Sequence, residues 1–385
     1  MLKIGIGLDG KEGSAWVKPG DRYKHLLCLG SSGMGKTTFL SYLIRKELDN
    51  ACIVLDPNGN LIEQIAPFIP SERLLYIDKH NPISLNPLSR GYLNWSENAK
   101  ELIQLINAAV KEINAKQVEM TVLMTRIVKN ALRVFKDDEL NIKHLMEFLD
   151  DEKKRAELSY DSYWSTFDKT NREAKESCKR ITARLSVYCD DLDLQPFLSG
   201  QNKFDLTEII NNKKVVLVNC EGLDDEATAF LGCLVTNQIK SYYLHKAKIG
   251  GNPLFFYCDE FHLFIQEHFG RFLAEGRKFN FSFNFAGHSF ALLDTLFRAM
   301  VLRSHVKVIL GNDGDDAQIL SKSLQIKAND IINLKPFKAI TRIGNKNFKI
   351  QLFRPPIATP LPFNKPQRPI QEELCFLGDD WIPMT

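Results

Sequence analysis

The chain has 385 residues, 44% hydrophobic and 25% charged, the balance of an ordinary globular protein with room for one large domain and a smaller inserted or appended one. Fifty Lys and Arg against 47 Asp and Glu leave a net charge of +3, which excludes a globally basic nucleic-acid binder; a DNA contact would have to come from a local patch or a ring of subunits. The eight cysteines are scattered, without a C-x-x-C pair, and several lie in apolar runs. That argues against a disulfide framework or a zinc site and for a reducing compartment.

MLKIGIGLDGKEG at the start has no signal-peptide core, and no apolar run approaches the length of a membrane span. A cytoplasmic protein is expected, peripheral to a membrane only through a partner. Lys3 to Leu8 and Ala15 to Val17 read as a β-hairpin turning at Asp9-Gly10. His25 to Leu29 is a short apolar run suited to a buried strand, and Phe39, Leu40, Leu43, Ile44 and Leu48 recur at helical spacing.

Between them stands GSSGMGKT, residues 30–37, a full match to G-x-x-x-x-G-K-[ST] in the strand–loop–helix context the motif requires. Holding a phosphate chain needs several backbone N–H groups aimed at one place, and glycine lets the chain fold tightly enough to offer them. The helix that follows adds the positive end of its dipole. Gly30, Ser31, Ser32, Gly33, Met34, Gly35, Lys36, Thr37 and Thr38 are therefore the expected nucleotide ligands. Lys36 serves the β- and γ-phosphates, and the Thr37 hydroxyl suits Mg²⁺, so ATP with Mg²⁺ is the expected cofactor pair.

Ala51 to Leu55 reads as a buried parallel strand that opens into the turn Asp56-Pro57-Asn58-Gly59, and Leu74 to Ile77 as a further strand. From about Asn94 to Gly200 the pattern is helical throughout. Ala99, Leu102, Ile103, Ile106 and Val110 keep one stripe; Met120, Leu123, Met124, Ile127, Val128, Ala131 and Val134 keep another. Near its end Lys175, Lys179, Arg180 and Arg184 form either a nucleic-acid contact or a solvated helix face.

Strands resume at Lys214–Asn219, Leu254–Cys258, Phe281–Ala286 and Val306–Leu310, with Asp224-Asp225-Glu226 opening a helix to about Leu244. Ala339–Ile343 and Phe348–Phe353 flank a hairpin turn, and from Arg354 the chain is proline-studded. The fold class expected is α/β, with a mostly parallel central sheet and an inserted all-helical domain. Four segments follow: 1–93 and 201–353 as the two parts of the core, 94–200 as the insertion, and 354–385 as a tail.

Hydrolysis needs a magnesium carboxylate and a group to activate water. The strand Leu254–Cys258 delivers Asp259 and Glu260 to its carboxyl end, Asp259 for the metal and Glu260 for the attacking water. His262 and His268, near Glu260 and Glu267, do not form H-E-x-x-H, so a zinc site is not expected there.

The order of these pieces resembles the HerA/FtsK-like motor ATPases, and within them the TraD/TraG-like conjugative coupling proteins of type IV secretion. The resemblance runs from His25 to about Phe353 and rests on GSSGMGKT, VLDPNGNL at 54–61, FFYCDEFHLF at 255–264, FLAEGRKFNFSFNFAGHS at 272–289 and ILGNDGDDAQIL at 309–320. It implies a RecA-like P-loop NTPase and a hexameric ring with DNA in its channel and ATP between subunits. Relaxase or secretion-system components are the implied partners. It assigns Arg277 as a finger reaching the neighbour's nucleotide, and His288 to the strand-end position where the family usually has a glutamine that senses the γ-phosphate. The membrane-bound relatives carry transmembrane helices ahead of the P-loop; this chain shows none, which points to a soluble relative. The implied activity is an ATP-driven DNA translocase for conjugative transfer or mobilisation. A viral DNA-packaging or protein-secretion motor is an alternative in the same fold, and a nucleotide-gated adaptor that recruits a relaxase–DNA complex is an alternative of another class.

Overall fold

A computed structural model of the chain describes residues 1–8, 14–89, 91–113, 120–135, 140–158, 163–164, 166–167, 172–264, 270–290, 293, 295–355, 376–377 and 380–381. Its centre is an eleven-stranded sheet. In chain order the strands are β1 (Leu2–Gly7), β2 (Ser14–Val17), β3 (Leu26–Leu29), β4 (Ala51–Asp56), β5 (Leu74–Ile77), β6 (Val215–Asn219), β7 (Leu254–Cys258), β8 (Phe281–Gly287), β9 (Val306–Ile309), β10 (Lys338–Ile343) and β11 (Lys346–Leu352). In space they run β2-β1-β11-β10-β9-β3-β8-β7-β4-β6-β5.

From β9 to β5 every pairing is parallel, and from β9 outward through β10, β11, β1 and β2 every pairing is antiparallel. Strands β3, β4, β6, β7, β8 and β9 are buried at every position. That is why they read as unbroken apolar runs: parallel strands need cover on both faces. Alternate residues serve two cores. Leu27, Ile53, Phe256 and Cys258 enter one, and Cys28, Val54, Phe255 and Tyr257 enter the other.

The second core is closed by helix α1 (Lys36–Lys46), which contributes Phe39, Leu40, Leu43 and Ile44. On the first lie α2 (Trp95–Ile113), α3 (Val122–Val134), α4 (Ile142–Asp150) and α5 (Arg172–Cys189), with α6 (Asp225–His245) beneath them. Caps start these helices where the chain chemistry demands. Thr121 accepts from the Met124 amide, Asn141 from that of His144 and Asp224 from that of Ala227. Apolar side chains of the helical segment run without a break into the core under the sheet. At that junction Lys240 and Glu101 form a 2.9 Å ion pair, their side chains 2% and 4% exposed, and Asn237 also donates to Glu101. A buried pair of this kind tolerates loss of neither partner, because the survivor would stay charged and dry.

The two expected hairpins are present, and β11 also pairs with β1, which ties the first strand to the last large one. The turn at Asp9-Gly10, residues Glu267 and His268, and most of the proline-studded stretch lie outside the described residues; within that stretch Phe376–Leu377 pairs with Asp380–Trp381. Of the four bases on α5, Lys175 faces Glu152 at 3.6 Å and Arg184 lies against the Met124 sulfur, while Lys179 and Arg180 are exposed. Among the described residues no helix is long and apolar enough to cross a membrane.

Candidate active site

The phosphate-binding loop leaves the carboxyl end of β3 and is pinned by the strands on either side. The Gly30 amide donates to the Gly287 carbonyl at the end of β8, and the Ser31 amide to that of Gly311 beyond β9. A Cβ on Gly30 would sit 2.6 Å from that of Leu310. Gly35 adopts φ +102°, and a Cβ there would meet the Phe337 ring at 2.7 Å, so this position excludes side chains on two counts. Phe337 also donates its amide to the Met34 carbonyl, closing the loop from outside. Ser31 Oγ donates to Asn312 Oδ1 at 3.2 Å.

Lys36 is buried, and its Nζ donates to the carbonyls of Gly30 (2.6 Å) and Ser31 (3.3 Å). Thr37 Oγ1 donates to Asp259 Oδ2 at 3.4 Å. Lys36 and Thr37, with Ser32, Gly33, Gly35 and Thr38, line a cleft of about 300 Å³ whose far wall carries Asp56, Asn58, Asn60, Asp259 and Glu260. Larger clefts of about 550 and 620 Å³ lie against β1–β2 and against α4, and neither contains the loop.

Two acids of the far wall, Asp56 and Asp259, are buried. Burial, helped by Glu260 and Asp56 nearby, pushes the Asp259 carboxyl up to about 6, against the opposing pull of the Glu260 amide and Lys36. Asp56, at the end of β4, is raised by burial too, although its carboxylate accepts from the amides of Asn58, Leu61 and Ile62. Two buried carboxylates facing a threonine hydroxyl are the donor set a hard divalent cation requires, and its charge would relieve their repulsion. The loop and wall therefore fit a Mg²⁺–nucleotide. Asp56 was not among the site residues expected from sequence; its signal was the Asp-Pro-Asn-Gly turn at the end of an apolar strand.

Glu260 has left-handed backbone, φ +46° and ψ +50°, a conformation that costs a non-glycine residue on the order of 1 kcal/mol or more. The turn swings its side chain toward β8, where Oε2 lies 2.7 Å from His288 Nδ1. His262, in the 3₁₀ turn Phe261–Leu263, approaches the same oxygen with Nδ1 at 3.5 Å, and the two imidazoles stand nearly perpendicular. The meeting follows from register: Cys258 is level with Phe285 and β8 runs on to Gly287, which carries His288 up beside Glu260.

Arg277 is not in this cleft. It lies exposed in the 3₁₀ turn Gly276–Phe279 ahead of β8, near His305, which precedes β9, and so at the amino end of the sheet. The seven residues of β8 separate it from the loop by roughly 20 Å. The preceding segment is held by His25, whose Nε2 pairs with the Leu273 carbonyl while Nδ1 accepts from the Phe283 amide. Burial drops the His25 ring to about 4, so it stays neutral.

A phosphate loop at the end of a central strand, an acidic strand two places across, and a mostly parallel sheet make this a RecA-like P-loop NTPase fold. The profile described as "Helicase HerA, central domain" matches residues 14–239, more than half of the chain, and the protein belongs to that family. Among solved structures it is similar to VirB4 of Thermoanaerobacter pseudethanolicus, at 15% identity and TM-score 0.66, covering 92% of this chain and 97% of that one. It is also similar to the plasmid coupling protein TrwB in complex with ADP and Mg²⁺, at 16% identity and TM-score 0.70, covering 93% and 95%. A TrwB complex with the ATP analogue ADPNP aligns at 15% identity and TM-score 0.67, covering 94% and 96%. At these identities the likeness is one of fold. No curated protein sequence matches the chain.

Proposed function

We propose that this protein is a Mg²⁺-dependent ATPase that moves DNA in conjugative transfer or mobilisation, working as a hexameric ring with nucleotide between subunits. The observation that carries the proposal is the arrangement of Thr37 and Asp259 across the loop from Lys36, with Glu260 one residue further along the same strand end. The TrwB structures that hold ADP with Mg²⁺ and ADPNP support the choice of ligand.

In this reading the loop amides and Lys36 hold the β- and γ-phosphates, Lys36 exchanging its loop carbonyls for phosphate oxygens. Thr37 directly and Asp259 through water would hold Mg²⁺, which supplies charge neutralisation to the transferred phosphoryl group. Glu260 accepts the proton of the attacking water, and His288 sets the carboxylate's direction while standing where a γ-phosphate can be sensed. Arg277, too far from its own loop, would complete a neighbour's site, a contribution worth about 10³–10⁵ in rate where such fingers have been measured.

The test is ATPase activity with and without DNA. Stimulation by DNA is expected; a rate indifferent to single- and double-stranded DNA sinks the translocase and leaves the ATPase standing. Mixing Lys36→Ala with Arg277→Ala subunits should partly restore activity if sites are shared. A second reading, an adaptor that docks a relaxase–DNA complex on residues 94–200, draws on the net charge of only +3 and on the pairing of Lys175 with Glu152. Relaxase capture by the full chain with negligible turnover would favour it.

A further inference from the structure

We propose that Glu260, His262 and His288 form a binding site for a transition-metal ion of the Zn²⁺ class, separate from the Mg²⁺ position, and that a metal bound there silences hydrolysis. One ligand atom from each of the three side chains lies within 4.8 Å of the other two. Two of the distances are already short, 2.7 Å from Glu260 to His288 and 3.5 Å from Glu260 to His262. A zinc ion with bonds of about 2.0–2.1 Å needs tetrahedral ligands about 3.3–3.4 Å apart. A small swing of the half-exposed His288 ring supplies that.

The chemistry of the set separates it from the magnesium position. Two imidazoles and one carboxylate are borderline donors suited to Zn²⁺, whereas Mg²⁺ seeks oxygen and keeps its waters. Asp259 turns the other way, toward Thr37. Three protein ligands leave a fourth position open, as in zinc sites that bind exchangeable groups.

His262 Nδ1 adds an independent observation. It is buried, without a hydrogen-bond partner, and it faces the Glu260 carboxylate. A buried ring nitrogen left unpaired costs free energy unless something binds it. The supporting elements are stiff: Phe261 packs on Phe285 with ring centres 5.2 Å apart, and a Cβ on Gly287 would press on the Phe261 ring at 3.1 Å. A carboxylate bound to a metal is a much weaker base and its direction is fixed by the ion, so occupation disables the group assigned to activate water.

Metal binding stands apart from the ATPase reading; the inhibition rests on it. The experiment therefore has two readouts on the full chain. In the first, Zn²⁺ is titrated against a chromophoric chelator in excess Mg²⁺ without nucleotide, with Co²⁺ absorption as a check of ligand geometry. One ion per chain is expected, with affinity falling about 10–100-fold or more in His262→Ala and in His288→Asn, since a ligand matters at least as much as the outer-shell partners for which that loss is known. His288 is exposed, so the second variant keeps the test valid if the first does not fold. Unchanged affinity in a folded variant overturns the site. In the second, ATPase activity should fall over the same Zn²⁺ range and return on adding a chelator selective over Mg²⁺, and the activity of His262→Ala, which has no part in turnover, should resist Zn²⁺. Stoichiometric binding with undiminished activity overturns the inhibition, and a chain without ATPase activity leaves the first readout to decide.

Discussion

Along one wall of the cleft Gly30 to Thr38 are contiguous in the chain, and their placement follows from glycine geometry, a strand end and a helix start. The facing wall collects Asp56, Asp259 and Glu260 from the ends of β4 and β7, and His262 and His288 stand on Glu260 behind it. The first wall is a backbone device, intolerant of an added Cβ and largely indifferent to side-chain charge apart from Lys36. The second is a side-chain device, held by strand register and by the electrostatics of buried acids. Binding and turnover should therefore separate along the two walls.

The sharpest test is Glu260→Gln. Loss of the proposed general base is expected to lower kcat by about 10²–10⁴-fold while nucleotide binding, read with a fluorescent ATP analogue, persists. Equal loss of both would break the separation. Lys36→Ala should cost on the order of 10²–10³-fold in turnover and, unlike Glu260→Gln, weaken binding as well, because in the proposed role the lysine would contact phosphate in ground and transition states alike.

Asp259→Asn tests the electrostatics. The folded chain holds the Asp259 proton up to about pH 6, above the ordinary value of 3.8, so stability without Mg²⁺ declines as pH rises from about 4 to about 6 and then levels. The variant lacks that decline. At pH 7–8 it should unfold later by an amount on the order of 2–3 kcal/mol, with the gap closing near pH 4, and it should be inactive. A variant melting earlier than wild type at pH 8 would contradict the account.

The smallest effect belongs to the loop itself. Gly35→Ala should destabilise by about 1–3 kcal/mol, seen as a lower Tm, through its positive φ and the Phe337 ring. Adding Phe337→Ala should recover only part, because the backbone strain remains. Full recovery would make the clash the whole cause.

How much of this was legible beforehand divides the same way. GSSGMGKT, the buried strands, the helical run from residue 94 and the Asp259-Glu260 pair are all local: periodicity, glycine at fixed offsets and polar residues at strand ends carry them. The amino-acid sequence by itself thus determined the phosphate cradle and the identity of the acids that face it. Only the tertiary structure decided that β4, β7 and β8 lie side by side, which brings Asp56 into the site and sets His262 and His288 on Glu260. The same choice put Arg277 at the far end of the sheet and Phe337 against Gly35. Which parallel strands become neighbours depends on long crossover connections and on cover for both faces, and no local pattern of residues encodes that.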